Sequence, residues 1–149
     1  MSAMLSRADL PPVWLALHAL AAAALDAAAP LARFQAGPWP GGLLIAAGAA
    51  LIGWSALQFA LRRTPIEPRH APKALITGGP FRLNRNPIYT GMAIMLAGGA
   101  LLLGSLGAVL PLLVFPVVIT RRFILGEEAA LREAFGEEAE AWIARSRRW

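Results

Sequence analysis

Residues 41–61 of this chain read GGLLIAAGAALIGWSALQFAL, a run that contains no charged side chain. As an α-helix, a run of this length extends about 30 Å, which matches the hydrocarbon thickness of a bilayer. Small residues at positions 48, 49, 53 and 56 recur on neighbouring turns, and such residues let helix backbones approach closely in lipid. The stretch therefore predicts a transmembrane helix that packs closely against a neighbour.

Three further apolar runs cover residues 12–32, 88–103 and 106–119. The last two are separated only by Gly104-Ser105, so they are expected to form a tight antiparallel hairpin. The whole chain of 149 residues is 57% hydrophobic and 15% charged, whereas a soluble domain carries about 25% charged residues. The sequence therefore predicts an all-α integral membrane bundle of about four transmembrane helices.

The first apolar run also has features of a cleaved signal peptide. Arg7 precedes it, and Ala27-Ala28-Ala29 resembles the small-residue site at which signal peptides are cut. The run is long for a signal-peptide core, however, and its removal would leave an odd number of spans. We therefore expect the first span to be retained.

Two segments between the runs are rich in proline and glycine. A turn is expected at residues 37–42, which read GPWPGG, ahead of the second helix. Residues 62–85 contain four prolines and seven basic or histidine residues, so they are expected to form an irregular loop outside the hydrocarbon. Loops of this kind often carry binding and catalytic residues.

Basic residues are concentrated on one side of the predicted bundle. Of the 14 Lys and Arg residues, 13 lie in the N-terminal tail, in the 62–85 loop or after residue 120, and only Arg33 lies elsewhere. Because cytosolic flanks are enriched in Lys and Arg, both termini and the loop are expected to be cytosolic. These flanks are also expected to contact anionic lipid headgroups. Nucleic acid is not expected as a partner, because the arginines lack the interleaved aromatic side chains of a stacking surface.

The region after Arg121-Arg122 has an amphipathic pattern. Leu131, Phe135 and Trp142 fall near one face of a predicted helix, and glutamates occupy its other faces. We expect this C-terminal amphipathic helix to lie at the membrane surface or against the bundle. The chain thus divides into an N-terminal two-helix membrane region, residues 1–61, and a second region, residues 62–149.

Candidate functional residues lie at the predicted cytosolic ends of the helices. Residues 85–91, RNPIYTG, open the third run, with Asn86 suited to the N-cap and Pro87 to the first turn. The pattern is typical of a plain helix start, but the added arginine also suits a site for a carboxylate or phosphate. Glu127-Glu128 follow the fourth run, where they form either an acidic first turn or a site for a cationic amine or sulfonium. No metal site is expected, because the chain has no cysteine and only two histidines.

Taken together, these motifs resemble the superfamily of isoprenylcysteine carboxyl methyltransferases and phospholipid methyltransferases. In that superfamily an R-[HN]-P-x-Y-x-G motif precedes a helical hairpin, a Glu-Glu pair and the pattern L-x-x-x-F-G-x-x-Y-x-x-Y. The corresponding residues here are 85–91, Glu127-Glu128 and 131–142, which read LREAFGEEAEAW. Ala139 and Trp142 stand where the superfamily usually has tyrosines. The resemblance covers residues 62–149.

The resemblance implies a methyltransferase that uses S-adenosylmethionine. Its acceptor would enter from the bilayer and would be either a lipid headgroup amine or the carboxylate of a lipidated molecule. The cofactor site that the resemblance implies consists of Gly79, Arg85, Asn86, Pro87, Tyr89, Gly91, Glu127 and Glu128.

The catalytic candidates are Arg85, Tyr89, Glu128 and Arg145. An arginine would orient a carboxylate acceptor, whereas Glu128 or Tyr89 would assist the loss of a proton from an amine acceptor. Two alternative functions stay open on the sequence. One is a non-catalytic membrane scaffold or degenerate relative, and the other is an NADPH-dependent membrane reductase, since such reductases resemble this superfamily near the same motif.

Overall fold

The protein is an all-α bundle in a computed structural model that describes residues 9–28 and 32–149. Within these described residues there are five α-helices, namely α1 (Pro11–Ala28), α2 (Pro38–Leu61), α3 (Pro87–Leu103), α4 (Leu106–Ile119) and α5 (Leu125–Arg145). A short 3-10 helix, Gly79–Arg82, lies in the loop between α2 and α3, and a π-helical turn, Thr120–Ile124, joins α4 directly to α5. The all-α prediction is confirmed. Arg7 and residues 29–31 of the first predicted run lie outside the described residues.

Three helical segments of the described chain are long and apolar enough to cross a membrane, and a fourth apolar helix is shorter, where the sequence predicted about four transmembrane helices. The three long segments are α1, α2 and the continuous helix of 40 residues from Leu106 to Arg145. A helix of 40 residues is about 60 Å long, roughly twice the hydrocarbon thickness. Its apolar half is α4, whereas α5 carries glutamates and arginines along its length, so the spanning part ends before α5. The remaining apolar helix, α3, has 17 residues.

Helices α2 and α3 are in direct backbone contact through glycines. A Cβ atom built on Gly48 would lie 2.5 Å from the carbonyl oxygen of Gly91, and one on Gly98 would lie 2.6 Å from that of Gly41. No side chain fits at such positions, so glycine sets the spacing of this helix pair. The close packing predicted from the small residues of the second run is therefore present.

The connections between helices agree with the sequence at one end and differ at the other. The predicted two-residue hairpin is present, since Gly104 ends α3 in the left-handed conformation, with φ 70°, and Ser105 caps α4. The predicted turn at residues 37–42 is wrong, because α2 already begins at Pro38. Pro38 and Pro40 lie in the first turn of this helix, where a missing backbone N–H leaves no hydrogen bond unmade.

Different segments of the chain meet at the two ends of the bundle. At one end the hairpin meets the chain before α2, where the Phe34 N–H donates to the Gly104 carbonyl at 2.9 Å. At the other end residues 9 and 10, the 62–86 loop and α5 come together. Helix α1 packs on α3 and α4, and α2 packs on α3, whereas α1 and α2 make far fewer close contacts with each other than either makes with α3. Both helices therefore lie against α3 rather than against each other.

Candidate functional site

A cavity of about 490 Å³ lies at the end of the bundle where the loop and α5 meet. Its walls come from the start of α1, from α2, from the loop, from the start of α3 and from the junction of α4 with α5. This volume falls within the range of small-molecule sites, about 300–1,000 Å³. The predicted site residues that line it are Arg85, Asn86, Pro87, Tyr89, Glu127 and Glu128.

Arg85 and Glu128 form a buried ion pair beside this cavity. Nη2 of Arg85 lies 3.1 Å from Oε1 of Glu128, and the two side chains are 9% and 5% exposed. Arg148 adds a second, bidentate contact, since its Nε and Nη2 each lie 2.8 Å from a different oxygen of the same carboxylate. Glu128 is therefore neutralised by two guanidinium groups.

The C-terminal segment of the chain holds Arg85 in place. Nη1 of Arg85 donates to two backbone carbonyls at the end of α5, one of them that of Ser146. The backbone N–H of Arg85 donates to the carbonyl of Arg147 at 2.8 Å, and Nδ2 of Asn86 donates to that of Arg148 at 2.9 Å. Because its donors are occupied in this way, Arg85 is a positioning residue that ties the start of α3 to α5.

Glu127 has very different surroundings from its neighbour Glu128. Its Oε1 accepts a hydrogen bond from the Tyr89 hydroxyl at 2.5 Å, and it lines the cavity. Within residues 9–28 and 32–149, no Lys, Arg or His side chain forms an ion pair with it. The cavity therefore contains one carboxyl group, that of Glu127, that has no cationic partner in the described chain.

The two glutamates differ in pKa as well as in contacts. Burial among apolar atoms and the charge of Glu128 raise the pKa of Glu127, although the hydrogen bond from Tyr89 opposes this rise. Burial also raises the pKa of Glu128, but the hydrogen bonds from Arg148 and Arg85 outweigh it and hold this pKa below the ordinary value. Glu128 is thus a fixed anion, whereas Glu127 is the carboxylate suited to proton exchange or to a cationic ligand.

Three of the predicted site residues lie outside the cavity wall. Arg145 is exposed at the end of α5, and it is Arg148 that reaches Glu128. Gly79 starts the 3-10 helix with φ 59°, next to the side chain of Gln58. Gly91 faces Gly48 on α2, so it serves the packing of the helix pair.

The sequence interpretation missed several residues that the cavity brings together. Arg148 lies only three residues after Arg145, but the chain leaves the helix at Ser146, which redirects it towards Glu128. Arg69 and Arg122 line the cavity and share contacts with Asp9. The one available signal was that Asp9 is the only acidic residue among the first 25 positions.

Comparison with known proteins gives one match. A family model described as phospholipid methyltransferase matches residues 37–138, which is more than half of the chain and includes the whole of α2, α3 and α4. No curated protein and no solved structure matches the chain.

Proposed function

Because the chain belongs to the phospholipid methyltransferase family, we propose that it transfers a methyl group from S-adenosylmethionine to the amine of a membrane lipid headgroup. Membership of this family implies methyl transfer in a membrane, on lipid-related substrates. The cofactor and the amine acceptor are the further steps that we propose. One observation supports both the cofactor and the amine acceptor. Glu127 lines the cavity, accepts a hydrogen bond from Tyr89 and has no cationic partner in the described chain.

The residues of the cavity fit the proposed cofactor. When bound, S-adenosylmethionine supplies a methyl carbon on a positively charged sulfur, which keeps the bonding electron pair when the acceptor nitrogen takes the methyl. Glu127 offers a negative charge to this cationic donor, and Tyr89 fixes the position of that carboxylate. Phe81 and Trp142, which are packed in one buried cluster, provide an apolar wall for the adenine ring.

An amine acceptor fits the site better than a carboxylate acceptor. A carboxylate would need a guanidinium group beside Glu127, but Arg85 is occupied by Glu128 and by backbone carbonyls. Arg69 and Arg122 are both paired with Asp9 at the rim, and Arg145 lies outside the cavity. A lipid amine must lose a proton to attack the methyl carbon. Glu127 is the proposed acceptor of this proton, because its raised pKa makes it a better base than Glu128.

The arrangement of α1 and α2 supports lateral entry of the lipid. Residues from both helices line the cavity, among them Pro12 and Ile52, yet the two helices make far fewer close contacts with each other than either makes with α3. We infer that a lipid headgroup reaches the cavity between these two helices while its acyl chains stay in the bilayer. We propose that the polar end faces the cytosol, from which the soluble cofactor enters.

Calorimetric titration of the protein in nanodiscs tests the cofactor. Wild-type protein is expected to bind S-adenosylmethionine saturably and NADPH not at all. Glu127→Gln is expected to weaken S-adenosylmethionine binding about 10-fold or more, since a charge-assisted contact is lost. Glu138→Gln removes the same charge from an exposed position of α5 and serves as the matched control.

Each other outcome leads to a different class of protein. Binding of NADPH alone would place the chain with the membrane reductases. If neither ligand binds, a non-catalytic scaffold becomes the best description. If S-adenosylmethionine binds, transfer of a labelled methyl group to phosphatidylethanolamine, compared with a prenylated cysteine, identifies the acceptor.

A further inference from the structure

A second group of charged residues lies at the rim of the cavity and is not used by the proposed methyl transfer. We call it the rim cluster, and it consists of Asp9, Trp14, Arg69, Arg122 and Phe123. Nε and Nη2 of Arg122 donate to the two Asp9 carboxylate oxygens at 3.1 and 2.9 Å. Nη2 of Arg69 donates to the same carboxylate at 2.5 Å, and the Trp14 indole N–H does so at 2.8 Å. One carboxylate therefore receives hydrogen bonds from three side chains.

The two arginines of the rim cluster are held in position by aromatic rings. The guanidinium carbon of Arg122 lies 4.7 Å from the centroid of the Trp14 ring, and that of Arg69 lies 5.5 Å from the centroid of the Phe123 ring. Stacking of this kind fixes the plane of a guanidinium group and the direction of its donors. The pair is thus arranged to bind an anion with two oxygens.

Charge in the rim cluster is unbalanced. Two guanidinium groups face a single carboxylate, which leaves one positive charge in excess. Their hydrogen bonds, with that of Trp14, hold the pKa of Asp9 well below its ordinary value, so Asp9 is an anion at any physiological pH. Its neighbours supply the contacts that an exogenous anion would also use.

The rim cluster lies close to the groups that we propose for methyl transfer. The Phe123 ring contacts Arg69 on one side, and its centroid is 6.4 Å from that of Tyr89, whose hydroxyl is bonded to Glu127. Arg69 and Arg122 both line the cavity. Asp9 precedes α1 by two residues, so the cluster lies where this helix leaves the membrane, at the level of lipid headgroups.

We propose that Arg69 and Arg122 bind the phosphate group of the lipid acceptor, and that Asp9 occupies this anion site until the phosphate displaces it. A phosphodiester carries one negative charge on two unesterified oxygens, as a carboxylate does, so it can take over the same donors. The amine of the same headgroup would then extend past Phe123 towards Glu127. The identity of the acceptor in this inference rests on the proposed function.

Binding of glycerophosphoethanolamine, a soluble headgroup, tests the site in protein purified in a glycoside detergent without phospholipid. Arg69→Gln and Arg122→Gln are each expected to weaken binding about 10-fold, because each removes a charge-assisted contact. Asp9→Asn is expected to tighten binding about 10-fold, since the competing carboxylate is gone. Arg132→Gln removes an arginine of α5 whose side chain is 40% exposed and pairs with Glu140, and it should leave binding unchanged.

A merely structural role of Asp9 predicts the opposite result. If Asp9 only ties the segment before α1 to the loop, Asp9→Asn lowers the melting temperature and leaves headgroup binding unchanged or weaker, and the proposal is then wrong. Wild-type protein gives a test that needs no variant. Equal affinity for ethanolamine and for glycerophosphoethanolamine would mean that the phosphate contributes nothing, which also overturns the proposal.

Two further ligands separate the possible sources of the anion. Competition by inorganic phosphate at similar affinity supports the anion site but assigns it to free phosphate, whereas preference for phosphatidylethanolamine in nanodiscs supports the lipid. If Asp9→Asn tightens the binding of S-adenosylmethionine and leaves the binding of the headgroup unchanged, the arginines hold the cofactor carboxylate and the proposal fails. Failure of wild-type protein to bind S-adenosylmethionine would instead argue against the proposed function.

Discussion

Glu127 and Glu128 are adjacent in the chain, yet they contact different side chains and therefore have different roles. Arg85 and Arg148 approach Glu128 from the start of α3 and from the C-terminal segment. Tyr89 approaches Glu127 from one helical turn further along α3. Glu128 is therefore a fixed anion that stabilises the site. Glu127 has no cationic partner in the described chain and faces the cavity.

Substitution of Glu128 is expected to destabilise the fold. Glu128→Gln leaves the buried Arg85 guanidinium without its counter-ion, and breaking a buried pair in this way costs about 3–5 kcal/mol. Arg148→Gln should cost about 1 kcal/mol or less, because Arg148 is 37% exposed and solvent screens its charge. Thermal unfolding in detergent measures both, with the exposed Glu138→Gln as control. Equal losses for Glu128→Gln and Glu138→Gln would contradict the importance of the buried pair.

In contrast to Glu128→Gln, substitution of Glu127 is expected to stabilise the cofactor-free protein. A carboxyl group whose pKa is raised on folding stabilises the folded state below its unfolded pKa, and this contribution is lost as the pH rises through the folded pKa. Above the ordinary pKa of a glutamate, Glu127 is therefore less favourable for folding than a neutral side chain, and Glu127→Gln should raise Tm while keeping an oxygen acceptor for Tyr89. The gain should shrink as the pH falls. A lower Tm for this variant at pH 7 would show that the charge is stabilised by contacts beyond Tyr89.

At the scale of helices, the α2–α3 pair depends on glycines on one face only. Gly48→Ala would place its Cβ 2.5 Å from the carbonyl oxygen of Gly91, so the helices must separate, at a cost of about 1–3 kcal/mol. Gly53 lies on the same helix, but a Cβ atom added there would have no neighbour within 4 Å. Gly53→Ala should therefore be neutral or slightly stabilising. Thermal unfolding of the two variants gives the comparison. Similar Tm values would mean that α2 can shift along α3 without loss of packing.

The helices were predictable from the sequence because uncharged runs of membrane length have few alternatives, and Gly104-Ser105 leaves room only for a hairpin. The start of α2 was missed because Pro38 is compatible both with a turn and with a first helical turn. The difference between Glu127 and Glu128 could not be predicted, since neighbours in sequence give the same local signal. Their partners Tyr89, Arg85 and Arg148 are brought to them by tertiary contacts.

At the scale of the whole molecule, the fold places nearly all of the described basic residues at the end that contains the cavity. Asp9 contacts both Arg69 of the loop and Arg122 after α4, so the segment before α1 lies at this same end. Arg33 lies at the opposite end, where its Nη1 is 3.1 Å from an oxygen of Asp26. An excess of Lys and Arg on one side predicts that this side is cytosolic.

Labelling of single cysteines tests this orientation directly, because the chain has no cysteine of its own. His70 is exposed at the cavity end and Gln35 is exposed at the hairpin end, so His70→Cys and Gln35→Cys report on opposite sides. A membrane-impermeant maleimide added to intact cells should label Gln35→Cys alone, and His70→Cys should react only after the membrane is opened. The reverse pattern would place the cavity outside the cytosol, where no supply of S-adenosylmethionine is expected, and would contradict the proposed cofactor together with the orientation.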